Sequence, residues 1–210
     1  MAPGNASAAA HAYASDEAVD KVKKAYECEV HIMSQLPHCN NLVGIVDQQE
    51  NQRLDGLEVY ILLEYCGNGT LFDLIESKCK LGLGGISDEA ELYKILNDIS
   101  NGLRLLHGKS VAHRDLKLEN VLLGADSNWK ICDFGSCTTR QHDQRLAMDD
   151  REAIREEIEK VTTPIYRAPE QLDLFRGYKI NTKVDIWALG CIMFTLMYHK
   201  SPFEDGQKLA

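Results

Sequence analysis

No two of the seven cysteines, at positions 28, 39, 66, 79, 132, 137 and 191, stand at CxxC spacing. That argues against a metal-binding or disulfide-stapled scaffold and for reduced cytosolic thiols, some of them buried as small hydrophobes. No apolar stretch near the N-terminus resembles a signal peptide. The most apolar run, Val184 to Tyr198, has 15 residues and includes Asp185, so it is too short and too polar to span a bilayer. Positive charge is in deficit: 23 Lys and Arg against 32 Asp and Glu leave a net charge of −9. This balance argues against a nucleic-acid-binding surface and leaves a basic protein or peptide partner open. There are only five prolines and no internal repeat. What remains is the composition of a soluble globular chain, 44% hydrophobic and 26% charged, and 210 residues suffice for one domain with a real core.

Residues 1–15 are rich in Ala, Gly, Asn and Ser without apolar period and read as disordered. A helix is expected from Ser15, with Asp16 and Glu17 in its first turn. Val19, Val22, Ala25, Tyr26, Met33 and Leu36 keep a rough helical spacing along it. Leu42–Asp47 and Glu58–Glu64 read as strands, with the polar segment Gln48–Gly56 as the hairpin loop between them. Thr70 is placed to cap a short helix running to Ser77. Gly82 to Gly85 form a loop that fits no phosphate-binding fingerprint, because no strand precedes it at the right spacing. Leu92, Ile95, Leu96, Ile99, Leu103 and Leu106 make the buried stripe of a helix from Ser87 or Asp88 to His107. Val121–Leu123 and Trp129–Cys132 read as two short strands. Asp149–Val161 is helical in pattern, with Ile154, Ile158 and Val161 on one side. From Val184 onward the chain is apolar nearly all round, which predicts a helix buried at a domain centre.

Four motifs follow one another in the second half. His113-Arg114-Asp115-Leu116-Lys117-Leu118-Glu119-Asn120 comes first, and Asp133-Phe134-Gly135 begins 13 residues after Asn120. Then come Tyr166-Arg167-Ala168-Pro169-Glu170 and Asp185-Ile186-Trp187-Ala188-Leu189-Gly190. Any one triplet recurs by chance; all four in this order are a specific signal. The chain resembles the protein kinase superfamily over roughly residues 19 to 206. The resemblance implies an α+β fold: a partial small β-rich lobe over 16–64 and an incomplete, mainly helical large lobe over 65–210, with an activation segment at 133–170.

The implied roles agree with what phosphoryl transfer needs, which is mainly positioning and charge neutralisation. Asp115 would orient the substrate hydroxyl and accept its proton. Asn120 and Asp133 would hold Mg²⁺ against the phosphates of ATP, since hard cations prefer oxygen ligands. Lys117 would steady the transferring phosphate, and Thr163 would brace Asp115; both resemble the Ser/Thr class. Asp185 would anchor the catalytic-loop backbone. Glu29 matches the helix glutamate that pairs with the ATP-binding lysine. Leu63, Glu64 and Cys66 match the gatekeeper and hinge, with backbone groups of Glu64 and Cys66 meeting adenine and Leu122 packing beneath it. Met33, Ile45, His113 and Phe134 match the stacked apolar spine of an active kinase. Thr138, Thr139, Thr162 and Thr163 are the loop threonines open to phosphorylation.

Ile131 to Cys137, the acidic helical stretch and Val161 to Glu170 are similar to the Numb-associated kinase family, which includes the adaptor-associated, cyclin-G-associated and yeast actin-regulating kinases and carries an extra helix after the activation loop. This implies Ser/Thr phosphorylation of endocytic proteins such as clathrin-adaptor medium chains, or of actin-regulating ones, by a cytoplasmic enzyme peripheral to endocytic membranes. The sequence lacks a GxGxxG loop and a strand lysine; Lys21, Lys23 and Lys24 share the predicted helix with Glu29. The expectation is therefore weak or no activity for this 210-residue chain, marginal stability, a buried and unpaired Glu170, and a Met1 that corresponds to an internal methionine. A non-catalytic scaffolding module and a nucleotide-binding switch are the competing readings.

Overall fold

Ile32, Met33 and Leu36 fall on one side of a helical turn, and that side is the one helix α1 (residues 29–35) turns inward, with Ile32 and Met33 buried. The structure, a computed structural model, describes residue 26 and residues 29–53, 56–142 and 148–203, apart from the side chains at 56, 148 and 149. The segment read as disordered over 1–15, the helix start near Ser15 with Val19, Val22 and Ala25, and the lysines at 21, 23 and 24 lie outside the described residues.

Strands β1 (Ile45–Arg53) and β2 (Gly56–Leu63) pair antiparallel from Ile45↔Leu63 to Arg53↔Gly56, with an irregularity between Ile45 and Asp47. The sequence pattern places a loop over Gln48–Gly56, yet strand pairing continues through Gln48↔Ile61, Glu50↔Val59 and Gln52↔Leu57. Most of β1 is exposed, so it has no buried face to impose apolar alternation, and polar residues extend the ribbon freely.

Helix α2 (Leu71–Lys80) starts at a reciprocal cap: Asp73 N–H donates to Thr70 Oγ1 (3.0 Å), and Thr70 N–H donates to Asp73 Oδ2 (2.8 Å). It runs three residues past the expected Ser77, and Leu71 and Ile75 are its buried positions. Helix α3 (Glu89–Gly108) is capped by Asp88, whose Oδ1 accepts from Ala90 N–H (2.9 Å). Ile95, Ile99, Leu103 and Leu106 are all at most 1% exposed, so the apolar stripe read from the sequence is the core face. Strands β3 (Val121–Leu123) and β4 (Trp129–Ile131) form a second two-stranded sheet.

The two small sheets are joined through the segment after α1. Val43 N–H donates to Ile131 O (2.9 Å), Ile131 N–H to Asn41 O (3.0 Å), and Asn41 Nδ2 to Trp129 O (3.1 Å). Helix α4 (Met148–Val161) buries Ile154 and Ile158 against Ala168, Ile180 and Val184, the last at the start of helix α6 (Lys183–Tyr198). The short helix α5 (Pro169–Leu172) lies between them in the chain.

Among the described residues α6 is not buried all round. Val184, Ala188, Ile192 and Leu196 face the core, whereas Ile186, Trp187 and Met193 are 45%, 36% and 42% exposed. Hydrophobicity on every side of a helix tells nothing of which side the neighbours cover. The open face lines an apolar groove shared with Phe203, whose ring stacks on Trp187 at 5.5 Å, and with Glu170. Glu170 is partly exposed there, not buried as the sequence suggested.

Gly102 is where α3 comes closest to the linking segment: a Cβ would lie 2.7 Å from Asn41 O and 3.0 Å from both Ile131 and Leu42. Alanine improves helix propensity by about 1 kcal/mol, but overpacking against backbone costs about 1–3 kcal/mol. Gly102→Ala is therefore expected to lower the urea midpoint, and a raised midpoint would show that the contact yields.

Candidate active site

The loop from His113 to Asn120 leaves α3 through Val111 and Ala112 and is held from below by one carboxylate. Asp185, 1% exposed at the start of α6, accepts from His113 N–H (Oδ2, 2.8 Å), from Arg114 N–H (Oδ1, 2.9 Å) and bonds His107 Nε2 (2.8 Å). Arg114 adopts φ = 70°, a left-handed backbone that side chains other than glycine disfavour. Two of Asp185's hydrogen bonds hold the two successive peptides that lead into that strained residue. The His113 ring, fully buried, meets Cys132 O through Nε2 (3.0 Å) and packs edge-on against Phe134 at 6.0 Å. Met33 and Phe134 share one core cluster, and Ile45 packs against it.

Above the anchor, Asp115 is fixed on both oxygens. Thr163 Oγ1 donates to Oδ1 (2.6 Å), and Lys117 Nζ donates to Oδ2 (2.7 Å) while also reaching Thr163 Oγ1 (3.3 Å). Burial alone would lower the pKa of the Lys117 ammonium. The hydrogen bond and charge of Asp115, with Glu119 and Asp133 beyond, outweigh burial and hold it above its usual value. Asn120, buried in a short 3-10 turn (Leu118–Asn120), gives its amide N–H to Asp115 O (2.9 Å). Its Oδ1 takes no hydrogen bond among the described residues. Cys132 N–H donates to Asn120 O (3.0 Å), which ties the Asp133 segment to the loop.

Asp133 is exposed and left-handed, at φ 63° and ψ 77°. Glu29 comes from α1 toward the same place: its Oε2 lies 3.7 Å and Asp133 Oδ1 3.5 Å from where a Gly135 Cβ would sit. Burial first, then the charge of Asp133, pushes the Glu29 carboxyl above its usual pKa. No described residue pairs with Glu29. Among the described residues no group of three His, Cys, Asp or Glu is arranged to hold a metal. Asn120 and Asp133 alone fit Mg²⁺ in the manner typical of that ion, which binds through one or two protein oxygens and completes its shell with water and phosphate.

The strand end after β2 carries Leu63, Glu64 and Cys66. Leu63 pairs with Ile45 and is 37% exposed. Glu64 N–H donates to Gly44 O (2.8 Å), whereas Glu64 C=O and Cys66 N–H have no partner among the described residues. Such an acceptor–donor pair along one backbone edge suits a planar heterocycle, and Leu122 lies half-buried on β3. Sequence reasoning missed Lys130. It is 4% exposed on β4, opposite Leu122, and bonds Glu64 Oε1 (2.8 Å) and Asp126 Oδ2 (3.2 Å), clamping the strand end. A lysine inside a short apolar strand was the available signal. The Cys132 thiol, raised to about 11 by burial first and then by Asp133 and Cys66, stays protonated at neutral pH. Of the loop threonines, Thr162 is buried, donating to Ile158 O (2.6 Å) and accepting from Arg167 Nε (2.7 Å).

The chain matches the protein kinase domain over residues 4–210 and belongs to that family. It is 37% identical over 189 residues to a probable serine/threonine-protein kinase of Dictyostelium discoideum, covering 89% of this chain and 16% of that protein. Actin-regulating kinase 1 of Saccharomyces cerevisiae is 35% identical over 87% of this chain and 28% of its own length. Serine/threonine-protein kinase AKL1 of the same yeast is 38% identical, over 84% and 16%. The chain thus spans 16–28% of the length of these relatives. Among the described residues no helix is long and apolar enough to cross a membrane.

Two stability effects follow. Asp185→Ala leaves two buried backbone donors and His107 unanswered and is expected to cost about 3–5 kcal/mol in urea unfolding; a loss below about 1 kcal/mol would mean that the loop holds itself. Glu29 has a raised folded pKa, so its neutral form is favoured at low pH and that advantage is lost as pH rises through the folded value. Glu29→Gln is expected to raise the melting temperature at pH 7 and to leave it unchanged at pH 3, and the reverse pattern would contradict the crowding with Asp133.

Proposed function

We propose that the chain carries the catalytic apparatus of a serine/threonine protein kinase, transferring the γ-phosphoryl group of ATP to a Ser or Thr hydroxyl of a protein. The observation that carries this is Asp115, a carboxylate fixed on both oxygens by Lys117 and Thr163 on a loop pinned by Asp185. In the proposed step the substrate hydroxyl oxygen forms a bond to the γ-phosphorus, the bond from that phosphorus to its bridging oxygen breaks, and ADP leaves. Asp115 orients the hydroxyl and takes its proton. Lys117 sits 2.7 Å from Asp115 and balances charge on the transferring group. Asn120 Oδ1 and Asp133 are the oxygens that would hold Mg²⁺, which when bound neutralises the phosphates. Glu64 C=O and Cys66 N–H would meet adenine over Leu122, with Leu63 behind it.

A narrower proposal is membership of the Numb-associated branch. It is supported by Ile131–Cys137, by α4 where that branch carries its extra helix, and by the likeness to an actin-regulating kinase. That branch implies endocytic substrates, clathrin-adaptor or actin-regulating proteins, and a cytoplasmic enzyme peripheral to endocytic membranes. A second reading, a nucleotide-binding or scaffolding module, is favoured by one observation: among the described residues Glu29 has no cation beside it, and burial and then the charge of Asp133 disfavour its ionised form. On that ground we expect the 210-residue chain by itself to transfer phosphate slowly.

The test is Mg·ATP binding followed by transfer from labelled ATP to a Ser/Thr peptide library. Transfer that falls roughly 10²- to 10⁴-fold in Asp115→Asn, with nucleotide still bound, supports the kinase. Binding with no transfer supports the switch, and neither supports the scaffold.

A further inference from the structure

Arg114 has a second attachment that the loop's anchoring does not need. Its side chain is 12% exposed; Nε donates to Ser136 O (2.6 Å) and one terminal nitrogen pairs with Glu157 Oε1 (2.5 Å) from α4. One guanidinium thus bridges the loop that carries Asp115, the segment that carries Asp133, and a helix 43 residues further on. Glu157 is supported from the other side by Arg140, 3.9 Å from Oε2. Burial raises the Glu157 pKa, but Arg114's hydrogen bond and charge, then Arg140 and His142, outweigh burial and keep the carboxyl ionised.

Protein kinases commonly order this segment by adding a phosphate that pairs with an arginine. A carboxylate on a rigid helix can supply the same charge-assisted hydrogen bond without a modification. Here the helix is rigidly placed, because Ile154 and Ile158, flanking Glu157 in sequence, are buried against Ala168, Ile180 and Val184. His142 exchanges two backbone hydrogen bonds with Ile180 (both 3.1 Å), fastening the same segment again. Two of the threonines are already engaged: Thr162 is buried between Ile158 O and Arg167, and Thr163 bonds Asp115.

We propose that Glu157 is a positioning residue that occupies, on Arg114, the place a phosphate would take, so that residues 133–142 are set against helix α4 without phosphorylation. Its importance for transfer rests on the kinase reading above; its ordering effect does not.

The experiment uses the full chain, treated with phosphatase and shown by mass to carry no phosphate. Amide hydrogen exchange is followed in wild type, Glu157→Gln, Glu157→Asp and, as control on the same helix, the exposed Glu156→Gln. Expected are slow exchange at 136–142 in unmodified wild type and in Glu156→Gln, and near-wild-type exchange in Glu157→Asp. Glu157→Gln is expected to exchange roughly ten- to hundredfold faster at 136–142, the effect of losing one charge-assisted hydrogen bond, while 113–120, held by Asp185, stays near wild type. In the transfer assay Glu157→Gln should lower kcat about tenfold while KM for ATP stays within about twofold. Fast exchange in unmodified wild type, or Glu157→Gln matching Glu156→Gln at 136–142, would overturn the proposal. If exchange behaves as expected and no variant transfers phosphate, the kinase reading fails and the ordering by Glu157 stands.

Discussion

The Asp185 carboxylate is the constraint on which the site depends. An ionised carboxyl at 1% exposure is costly to desolvate, and the cost is offset only by the hydrogen bonds it accepts. Asp185 gathers three: two from successive peptides of the His113–Arg114 loop and one at His107 on α3. Because these donors come from two elements, the charge joins α6, α3 and the loop in one move. The left-handed turn at Arg114, worth of order 1–3 kcal/mol of strain, persists because its amide has nowhere else to donate. Everything above the turn inherits that placement: Asp115 between Thr163 and Lys117, Asn120 against Asp115 O, and the Asp133 segment tied to Asn120 O.

A second charge repeats the device from outside. Asp185 holds the backbone of Arg114, and Glu157 takes its side chain, so a single residue is gripped at both ends by carboxylates from different helices. The two differ in burial and therefore in worth. Asp185 is wholly enclosed and structural; Glu157 is 30% exposed, and its ion pair is partly screened. A contact of modest strength suits a segment whose order can be biased, and one of large strength suits a loop that must not move.

The sequence carried the site better than it carried the elements around it. His113 to Asn120, Asp133 to Gly135, Thr163 and Asp185, which the resemblance to protein kinases and not their spacing had grouped, lie together in the structure, and the two loops among them are fixed by apolar neighbours: Leu116, Leu118 and Phe134 are at most 2% exposed. The stripe of α3 was legible for the same reason, since one face is fully covered. The hairpin of β1 and β2 was legible but its length was not, because a two-stranded ribbon with mostly exposed residues needs no alternation. The open side of α6 was not legible either, because nothing in an apolar run says which face meets a neighbour. Glu157 looks like Glu156 and Glu159 in a charged helix; only the fold shows that it stands beside buried Ile158 and under Arg114. Lys130 is hidden in the same way, its pairing with Glu64 spanning two sheets.

The remaining electrostatic feature is the acid excess around Asp133. Asp115, Glu119 and Asp133 act on one described ammonium, Lys117, and Glu29 adds a fourth acid beside Asp133. At Glu29 burial first and then the charge of Asp133 raise the carboxyl pKa, so ionising it there gives up stability. On the proposed kinase reading the excess suits a site whose other half arrives as cations: carboxylates paired too well inside the protein would have to break those pairs before binding Mg²⁺, whereas Asp133 is exposed and has no partner among the described residues. Glu29 differs in being half-buried, where water cannot fully solvate it and Asp133 repels it. Two kinds of acid thus stand side by side: Asp133, open toward solvent, and Glu29, half-buried and without a cation beside it among the described residues.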